Sequence, residues 1–355
     1  MTVLGIETSC DETSAAVVRN GRVLSNVVYS QVKSHAEFAG VVPELASRMH
    51  MERLPAIIER ALRDAFGKNA SLKTVRRYVS AVAFTQGPGL MGALLMGKIA
   101  AQTLAEAHGL RLIGVNHLEG HALAMCLEQK VKAPFMTLIV SGGHTELVHV
   151  RTAGRYNVIG RTRDDAAGEV FDKVAKFLRL GYPGGPMVDR LAAKGNPAAV
   201  PFTRPMMPGT WDFSFSGIKT AVLYYVRDSG YAGEGRVRPA VPADKTLPEK
   251  FTSDLCASFQ EAVVDTLVEK TIAAAKRKKV RRVVVGGGVA ANRRLREKFK
   301  TRAKEEGLSV HFPSMSLCTD NAAMIAYAGA LKLKAGRAGK KLAVDPSMRI
   351  RSWAA

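Results

Sequence analysis

The feature that most constrains this fold is a short turn of small and polar residues that follows an apolar strand and occurs twice. In LIVSGGHTEL, at 138–147, an apolar run stops at Ser141-Gly142-Gly143 and resumes at Thr145. Such a pattern predicts two strands joined by a tight turn, whose backbone N–H groups can approach an oxyanion because no Cβ intervenes. The stretch VLGIETSCDET, at 3–13, has the same plan. An ordinary hairpin explains either turn alone, but the repetition indicates a duplicated fold that closes on one ligand.

The predicted secondary structure repeats in the same way. Three strands, a helix, a strand, a helix and a strand are predicted over 3–115 and again over 135–312, with a Pro- and Gly-rich insertion at about 182–250. This order predicts mixed α/β layers with helices on both sheet faces. The expected fold is a duplicated, two-lobed actin-like (ASKHA, ribonuclease H-like) α/β fold with an interlobe cleft. The predicted boundaries are 1–133 for the first lobe, 134–334 for the second and 335–355 for a basic tail, expected to be loosely held.

The chain is strongly basic. It has 52 Lys and Arg against 31 Asp and Glu, a net charge of +21 and an isoelectric point of about 10.0. The excess is concentrated at 276–282, 293–304 and 332–341. Solvated helix faces explain any one run, but few acids offset the total, which therefore favours a polyanionic partner. Nucleic acid is the leading predicted partner, and a membrane surface is the second.

Cysteine usage and hydropathy predict a cytoplasmic protein. Cys10, Cys126, Cys256 and Cys318 form no Cys-x-x-Cys pair, which disfavours a zinc ribbon or a thioredoxin-like site. No signal peptide is evident. The longest apolar region, at 79–105, contains a Gly-Pro-Gly turn and a lysine, and so predicts a buried strand and helix rather than a membrane span.

The sharpest candidate for chemistry is HLEGHA. A spacing of four residues places His117 and His121 on one helix face, where a single metal ion can bridge them. A zincin protease needs Glu directly after its first His, whereas Glu119 stands midway and is predicted on the opposite side of the helix. A third ligand must come from elsewhere, and Asp320 is the predicted one; its alternative role is a helix cap.

Other polar residues follow glycine-rich turns. Gly286-Gly287-Gly288 precedes Asn292, which is a candidate to bind a purine or ribose or, alternatively, a helix cap. Asp172, in DDAAGEVFDK, is a candidate ribose ligand, and Asp189 follows the Gly184-Gly185-Pro186 turn. The stretch at 213–220, FSFSGIKT, is predicted either as a half-buried edge strand or as a wall of the site. The polar segment at 35–50 is predicted as a lid or partner surface or, alternatively, as an exposed capped helix.

Taken together, these segments resemble the tRNA threonylcarbamoyladenosine synthases of the bacterial TsaD type, once labelled glycoproteases. The resemblance covers nearly the whole chain and is carried, in order, by GIETSCDET, GVVPELASRMH, TQGPGL, HLEGHA, VSGGHTEL, DDAAGEVFDK, YPGGP, FSFSGIKT, GGGVAANRRLR and CTDNAAMIAYAG. Three features depart from the family pattern. Ala39 replaces the usual Gly, the loop at 228–246 is long, and the tail lacks the usual Pro-Arg-Trp-Pro.

The resemblance implies an ASKHA fold and transfer of a threonylcarbamoyl group from threonylcarbamoyl-AMP to N6 of the adenosine 3′ to the anticodon. The product would be t6A in tRNAs that read ANN codons, with release of AMP. One divalent metal, Fe²⁺ or alternatively Zn²⁺, would be held by His117, His121 and Asp320. Partners would be tRNA, a TsaB-like paralogue and a TsaE-like ATPase, without a membrane. The residues implied to hold the adenylate are Ile139, Val140, Ser141, Gly142, Gly143, Asp172, Gly185, Asp189 and Asn292.

Asp11 and Glu12, near the first turn, are the candidates for a general base. An ASKHA-type small-molecule kinase or ATPase is the leading alternative function, but its magnesium would be held by carboxylates rather than by two histidines. The misplaced Glu119 disfavours a metalloprotease, and tight tRNA binding without metal would indicate a non-catalytic scaffold.

Overall fold

The structure of the chain is a computed structural model that describes residues 1–129, 131–231, 241–242, 246–337 and 342–353. Two compact units divide the chain. Unit 1 comprises Met1–Ala133, Val150–Asn157 and Pro313–Ala355, and unit 2 comprises Pro134–His149 and Val158–Phe312. Most of the long loop predicted at 228–246 lies outside the described residues.

Within the described residues, strands and helices alternate much as predicted. The strands are β1 (Thr2–Glu7), β2 (Glu12–Arg19), β3 (Arg22–Ser30), β4 (Ala81–Gly87), β5 (Arg111–Asn116), β6 (Phe135–Val140), β7 (Thr145–Thr152), β8 (Arg155–Arg161), β9 (Arg282–Gly286) and β10 (Ser309–His311). The helices are α1 (Val32–Ala36), α2 (Pro43–Phe66), α3 (Met91–His108), α4 (His117–Leu123), α5 (Ala167–Phe177), α6 (Gly184–Ala192), α7 (Ser216–Asp228), α8 (Glu249–Arg277), α9 (Arg293–Glu305), α10 (Met315–Cys318) and α11 (Ala322–Lys334). No helix among these residues has the length and apolarity that crossing a membrane requires.

The two sheets have the same strand order, which confirms the predicted duplication. Sheet 1 runs β3-β2-β1-β4-β5, and sheet 2, in the equivalent direction, runs β8-β7-β6-β9-β10. β1 pairs antiparallel with β2 and parallel with β4, and β6 pairs parallel with β9. Each sheet therefore places its first strand at the centre, where both faces are covered, and every residue of β1 and β6 is buried.

Successive residues of β1 belong to different cores because side chains alternate across a strand. Val3 joins the cluster that contains the apolar residues of α11, whereas Leu4 joins the cluster that contains those of α2. Gly5 allows close approach of α11, since a Cβ at this position would lie 2.3 Å from the backbone oxygen of Ala322. Unit 1 is thus a helix–sheet–helix sandwich, and its second helical layer comes from the far end of the sequence.

That layer changes the predicted boundaries. The region predicted as a second lobe, 134–334, loses Pro313 onwards to unit 1, because α11 buries its apolar face against sheet 1. The sequence pattern of α11 predicts a helix, but it does not indicate which of the two sheets the helix covers.

The tail is also attached to unit 1, contrary to the expectation of a loose segment. Asp345 donates its N–H to the carbonyl of Gln86 at 2.9 Å, and Trp353 donates its N–H to the carbonyl of Gly154 at 2.9 Å. A Cβ at Gly87 would collide with the carbonyl of Asp345, so this glycine is required for the tail to approach. Asp345 and Trp353 bond to backbone groups in different parts of unit 1, and such contacts produce no periodic pattern in the sequence.

The basic run of α9 forms ion pairs within unit 2. Arg294 and Lys298 both contact Glu261 of α8, at 2.7 and 2.5 Å, and Arg302 contacts Glu269 at 2.7 Å. Burial raises the pKa of the Glu261 carboxyl, but the two cations outweigh it and bring the pKa to about 2. Much of the charge that predicted a polyanionic partner for this run therefore stabilises the packing of α9 on α8.

We expect Glu261→Gln to lower the free energy of unfolding by about 1–2 kcal/mol at pH 7, because two cations lose their partner; solvent screening of the exposed ends limits the loss. A depressed carboxyl pKa stabilises the fold above pH of about 4.5, and this contribution disappears as the pH falls towards 2. Urea unfolding at pH 7 and pH 3 would measure both effects. The control is Glu297→Gln, which removes a carboxylate 3.7 Å from Arg294 that is mostly exposed. Equal losses in the two variants would contradict the assignment.

Candidate metal centre and glycine-lined site

His117, His121 and Asp320 converge in unit 1. The Nε2 atom of His121 lies 3.0 Å from Oδ1 of Asp320, and Nε2 of His117 lies 3.5 Å from the same oxygen. The two imidazole rings meet edge to face, with centroids 4.6 Å apart. The potential ligand atoms all lie within 4.8 Å of one another, so this group could hold a metal ion. The predicted meeting of two neighbouring imidazoles with a carboxylate from 199 residues away is confirmed.

Helix caps fix the ends of both contributing helices. The side chain of Asn116 accepts the N–H of Glu119 at the start of α4, and that of Asn321 accepts the N–H of Met324 at the start of α11. The capping role considered for Asp320 therefore belongs to its neighbour Asn321. The Asp320 carboxylate faces the histidines instead.

Glu7, at the end of β1, orients His117. Its carboxylate is fully buried, lies 2.9 Å from Nδ1 of His117 and accepts the Thr85 hydroxyl at 2.6 Å. A proton on Nδ1 donated to Glu7 leaves the Nε2 lone pair directed towards Asp320, the arrangement in which a histidine ligates a metal. Burial lowers the pKa of His117, but the carboxylates of Asp320 and Glu7 raise it to about 9. Sequence analysis missed Glu7, whose only signal was a charged residue at the end of an apolar strand.

The residues fit a divalent transition metal. Two imidazoles and one carboxylate form a set that suits Fe²⁺ or Zn²⁺, whereas Mg²⁺ and Ca²⁺ prefer oxygen ligands. The Nδ1 atom of His121 is buried and has no hydrogen-bond partner among the described residues, so the polar atoms here are incompletely satisfied by protein alone. The negative charge of Asp320 and Glu7, which raises the pKa of His117, also favours a bound metal cation.

We expect Glu7→Gln to weaken metal binding roughly 10- to 100-fold, because the amide cannot supply the charge that holds His117 in the ligating tautomer. Equilibrium dialysis followed by elemental analysis would measure the affinity. Glu52→Gln, which changes an exposed acid of α2 in the same unit, is the control. Unchanged affinity in Glu7→Gln would show that His117 needs no such support.

Of the two candidate bases, Asp11 lies in the turn between β1 and β2, and Glu12 is the first residue of β2. Burial raises the pKa of the Glu12 carboxyl, and the carboxylates of Asp320 and Asp11 raise it further, well above its usual range. Because the charge of Asp320 affects the pKa of Glu12, this region lies close to the candidate metal ligands. A carboxyl whose pKa is shifted in this way is a typical feature of sites that carry out acid–base chemistry.

The polar segment at 35–50 supports this turn. His50 lies 2.8 Å from the Cys10 carbonyl through Nε2 and 2.8 Å from the Thr13 hydroxyl through Nδ1. Gln31 donates its backbone N–H to the Asp11 carbonyl at 2.9 Å, and its side chain lies 3.1 Å from Nε2 of His35. The buried histidines of this segment therefore fix the backbone that carries Asp11 and Glu12, a role that the predicted lid or partner surface did not include.

In unit 2, the glycines in and around the predicted adenylate site are of two kinds. A Cβ added at Gly142, Gly143 or Gly185 would meet no atom of the described part of the chain within 4 Å, and the same is true at Gly288. At Gly168, by contrast, a Cβ would lie 2.6 Å from the carbonyl of Ser141. The first kind borders open space that a ligand can fill, whereas the second allows backbone segments to pack together.

Hydrogen bonds join the turns of this region. Gly168, at the start of α5, donates its N–H to the Ser141 carbonyl at 3.1 Å. Asp172, one turn further along α5, accepts the N–H of Gly184 at 2.7 Å. The Ser141 turn, α5 and the start of α6 are thereby held together. Ile139 and Val140 are fully buried in β6, so their predicted contact with a ligand can involve only the backbone.

Asn292 and Asp189 already have protein partners. The Asn292 side chain accepts the N–H of Leu295 at 2.9 Å, as the start of α9 requires, and donates to Gln260 at 2.7 Å. Asp189 accepts Nε of Arg293 at 2.8 Å. The helix-cap role of Asn292 is thus observed, and the ligand roles of both residues stay predictions.

The stretch at 213–220 is not a strand throughout. Phe213 forms an isolated bridge with Thr162, and α7 begins at Ser216. Phe215 is fully buried and donates its N–H to the Asp164 carboxylate at 2.7 Å. Alternation of aromatic and hydroxyl residues here reflects an anchored turn at the start of a helix.

The fold resembles solved ASKHA-type structures. HypF of T. kodakarensis aligns with a TM-score of 0.61 and 14% identity over 94% of this chain and 48% of that one. Component A of the (R)-2-hydroxyglutaryl-CoA dehydratase of Acidaminococcus fermentans aligns with a TM-score of 0.51 and 16% identity over 94% of this chain and 100% of that one. These identities show the fold alone. The chain is an actin-like, ASKHA-fold protein with a candidate histidine–carboxylate metal centre.

Sequence comparison gives the family. The model of "TsaD: tRNA N6-adenosine threonylcarbamoyltransferase" matches residues 22–327. The protein of this name from Endomicrobium trichonymphae is 49% identical over 99% of each chain. That from Geobacter metallireducens is 52% identical over 95% of this chain and 93% of the relative. The chain belongs to the TsaD family of tRNA N6-adenosine threonylcarbamoyltransferases, as its motifs indicated.

Proposed function

We propose that this chain transfers the threonylcarbamoyl group of threonylcarbamoyl-AMP to N6 of the adenosine 3′ to the anticodon, in tRNAs that read ANN codons. The observation that carries the proposal is the convergence of His117, His121 and Asp320 in a chain of this family. A histidine–carboxylate set differs from the carboxylate-held magnesium of a small-molecule kinase, the main alternative on this fold. The free cysteines are consistent with the predicted reducing cytoplasm.

The reaction joins a weak nucleophile to an activated donor. The N6 amine bonds to the carbamoyl carbon, the bond from this carbon to the phosphate oxygen breaks, and AMP leaves with both electrons. The N6 proton must pass to a base, for which Glu12 and Asp11 are the candidates. Because the mixed anhydride is already activated, positioning and charge stabilisation should dominate catalysis.

Each group of residues has a proposed task. His117, His121 and Asp320 would hold Fe²⁺ or, alternatively, Zn²⁺. When bound, the metal would act as a Lewis acid that polarises the threonylcarbamoyl oxygens. The turn from Ser141 to Gly143 would donate N–H groups to the phosphate. Asp172 would bind the ribose, and the turn before Asn292 would accommodate the adenine.

The test is product formation. The chain is incubated with threonylcarbamoyl-AMP, tRNA, a TsaB-like paralogue and a TsaE-like ATPase, which are its proposed partners. Mass spectrometry of nuclease-digested tRNA should then show t6A. A tRNA with guanosine in place of the target adenosine should remain unmodified. Absence of t6A from the complete mixture, or phosphorylation of a small substrate without tRNA, would contradict the proposal.

A further inference from the structure

Glu119, between the two histidines of the proposed metal site, is held by contacts on the opposite side of α4. Glu119 is only 2% exposed, although it lies on the seven-residue helix α4. Its Oε1 atom accepts the Tyr156 hydroxyl at 2.8 Å and the indole N–H of Trp353 at 2.6 Å, and Lys332 lies 3.8 Å from its other oxygen. The side of α4 that faces away from Asp320 is therefore fixed by donors from three distant parts of the sequence.

Further contacts of Trp353 and its neighbour hold the indole ring in position to donate to Glu119. Its backbone N–H bonds to the Gly154 carbonyl at 2.9 Å, and Ser352 accepts the backbone N–H of Tyr156 at 2.9 Å. A Cβ at Gly154 would lie 2.3 Å from the indole ring, so the ring packs directly on the backbone there. Ser352 and Trp353 therefore pack on the turn between β7 and β8, and Tyr156 follows directly after this turn.

The tail reaches α4 at a second point. Asn116, whose side-chain oxygen caps α4, donates its amide nitrogen to the Met348 carbonyl at 3.3 Å. Ile350, between the two points, is buried. The segment at 345–353 therefore contacts both the first turn of the metal-site helix and the acid at its centre.

We propose that this segment is a positioning element of the metal centre, and that Trp353 is its main residue. The proposal rests on the proposed metal site. His117 and His121 occupy one face of α4 and Glu119 the other, so any rotation of this short helix moves all three side chains together. A buried carboxylate deprived of a donor is costly, and rotation of α4 towards solvent would relieve that cost. The same rotation would carry the imidazoles away from Asp320.

The first test is the metal affinity of Trp353→Phe, with Zn²⁺ alone as the probe. Phenylalanine keeps an aromatic ring on Gly154 but removes the N–H donor. We expect at least tenfold weaker binding by equilibrium dialysis, as for other residues that orient metal ligands. The control, Trp211→Phe, changes the other tryptophan of the chain, which lies in unit 2, and should leave affinity unchanged. Affinity within twofold of the parent in Trp353→Phe would overturn the proposal.

The second test needs no change in the tail. In the Trp211→Phe protein, Trp353 is the only tryptophan, so its fluorescence reports on the docked tail. If docking favours metal binding, metal binding must favour docking by the same factor. Zn²⁺ should therefore reduce acrylamide quenching of Trp353, and unchanged quenching at saturating Zn²⁺ would contradict the coupling.

His121→Ala separates failure of this proposal from failure of the metal site. If this variant binds Zn²⁺ as the parent does, the metal site itself is wrong. If it loses Zn²⁺ while Trp353→Phe keeps it, the metal site stands and the positioning role of the tail is wrong.

Discussion

The His121→Ala and Asp320→Asn proteins are expected to lose their bound metal and, with it, more than about a hundredfold of the transfer rate. Each change removes one of three ligands, whereas residues that only orient a ligand already account for roughly 10- to 100-fold. Asp320→Asn keeps the shape of the side chain, so its loss would reflect the charge and the donor atom. Elemental analysis of protein purified without added metal, together with t6A formation, would measure both effects.

The control for these variants is His108→Ala, at the end of α3 in the same unit, which should retain metal and activity. Circular dichroism should show that the fold of each variant is kept. Treatment of the parent with a chelator should reproduce the loss, and addition of Fe²⁺ or Zn²⁺ should reverse it. Full metal content in His121→Ala would refute the ligand assignment.

The second large effect is expected at the open glycines of unit 2. Gly143→Ala and Gly288→Ala should weaken AMP binding roughly 10- to 100-fold, equivalent to about 1.4–2.8 kcal/mol, because the new methyl group would occupy space next to the ligand. Neither methyl group meets a protein atom within 4 Å, so stability should change little. Isothermal titration calorimetry with AMP would give the affinity, and thermal unfolding would give the stability.

Gly287→Ala provides the contrast. Its φ is +94°, and its Cβ would lie 2.3 Å from the Val140 carbonyl, so this variant should lose stability first. A result in which all three variants lose stability, or in which Gly143→Ala and Gly288→Ala bind AMP normally, would contradict an adenylate site at these turns.

The three candidate metal ligands could be selected from the sequence because their signals are local or belong to a motif. The spacing of His117 and His121 defines a helix face without any tertiary information. The role of Asp320 was less certain from the sequence alone, because Asp and Asn are both good helix caps. Only the structure shows that Asn321 caps α11. The strand order was predictable because both halves repeat one pattern of apolar runs.

The missed features depend on contacts between distant residues. The carboxylate of Glu7 bonds to a histidine 110 residues later, and Trp353 bonds to Glu119 across 234 residues. Nothing in the tail's local pattern distinguishes such a partner from a solvated residue. The ion pairs of α9 could not be predicted for the same reason, because Glu261 and Glu269 lie on α8, more than 30 residues before the cations that they contact.

The late return of the chain to unit 1 has a consequence for its synthesis. Sheet 1 is complete at Asn116, but the helix over one of its faces, with Asp320 before it, follows Pro313. On the ribosome, sheet 1 therefore emerges long before the helix that covers this face, and His121 is synthesised 199 residues before Asp320. A nascent chain that stops before Pro313 exposes an apolar sheet to chaperones and proteases and lacks a complete ligand set.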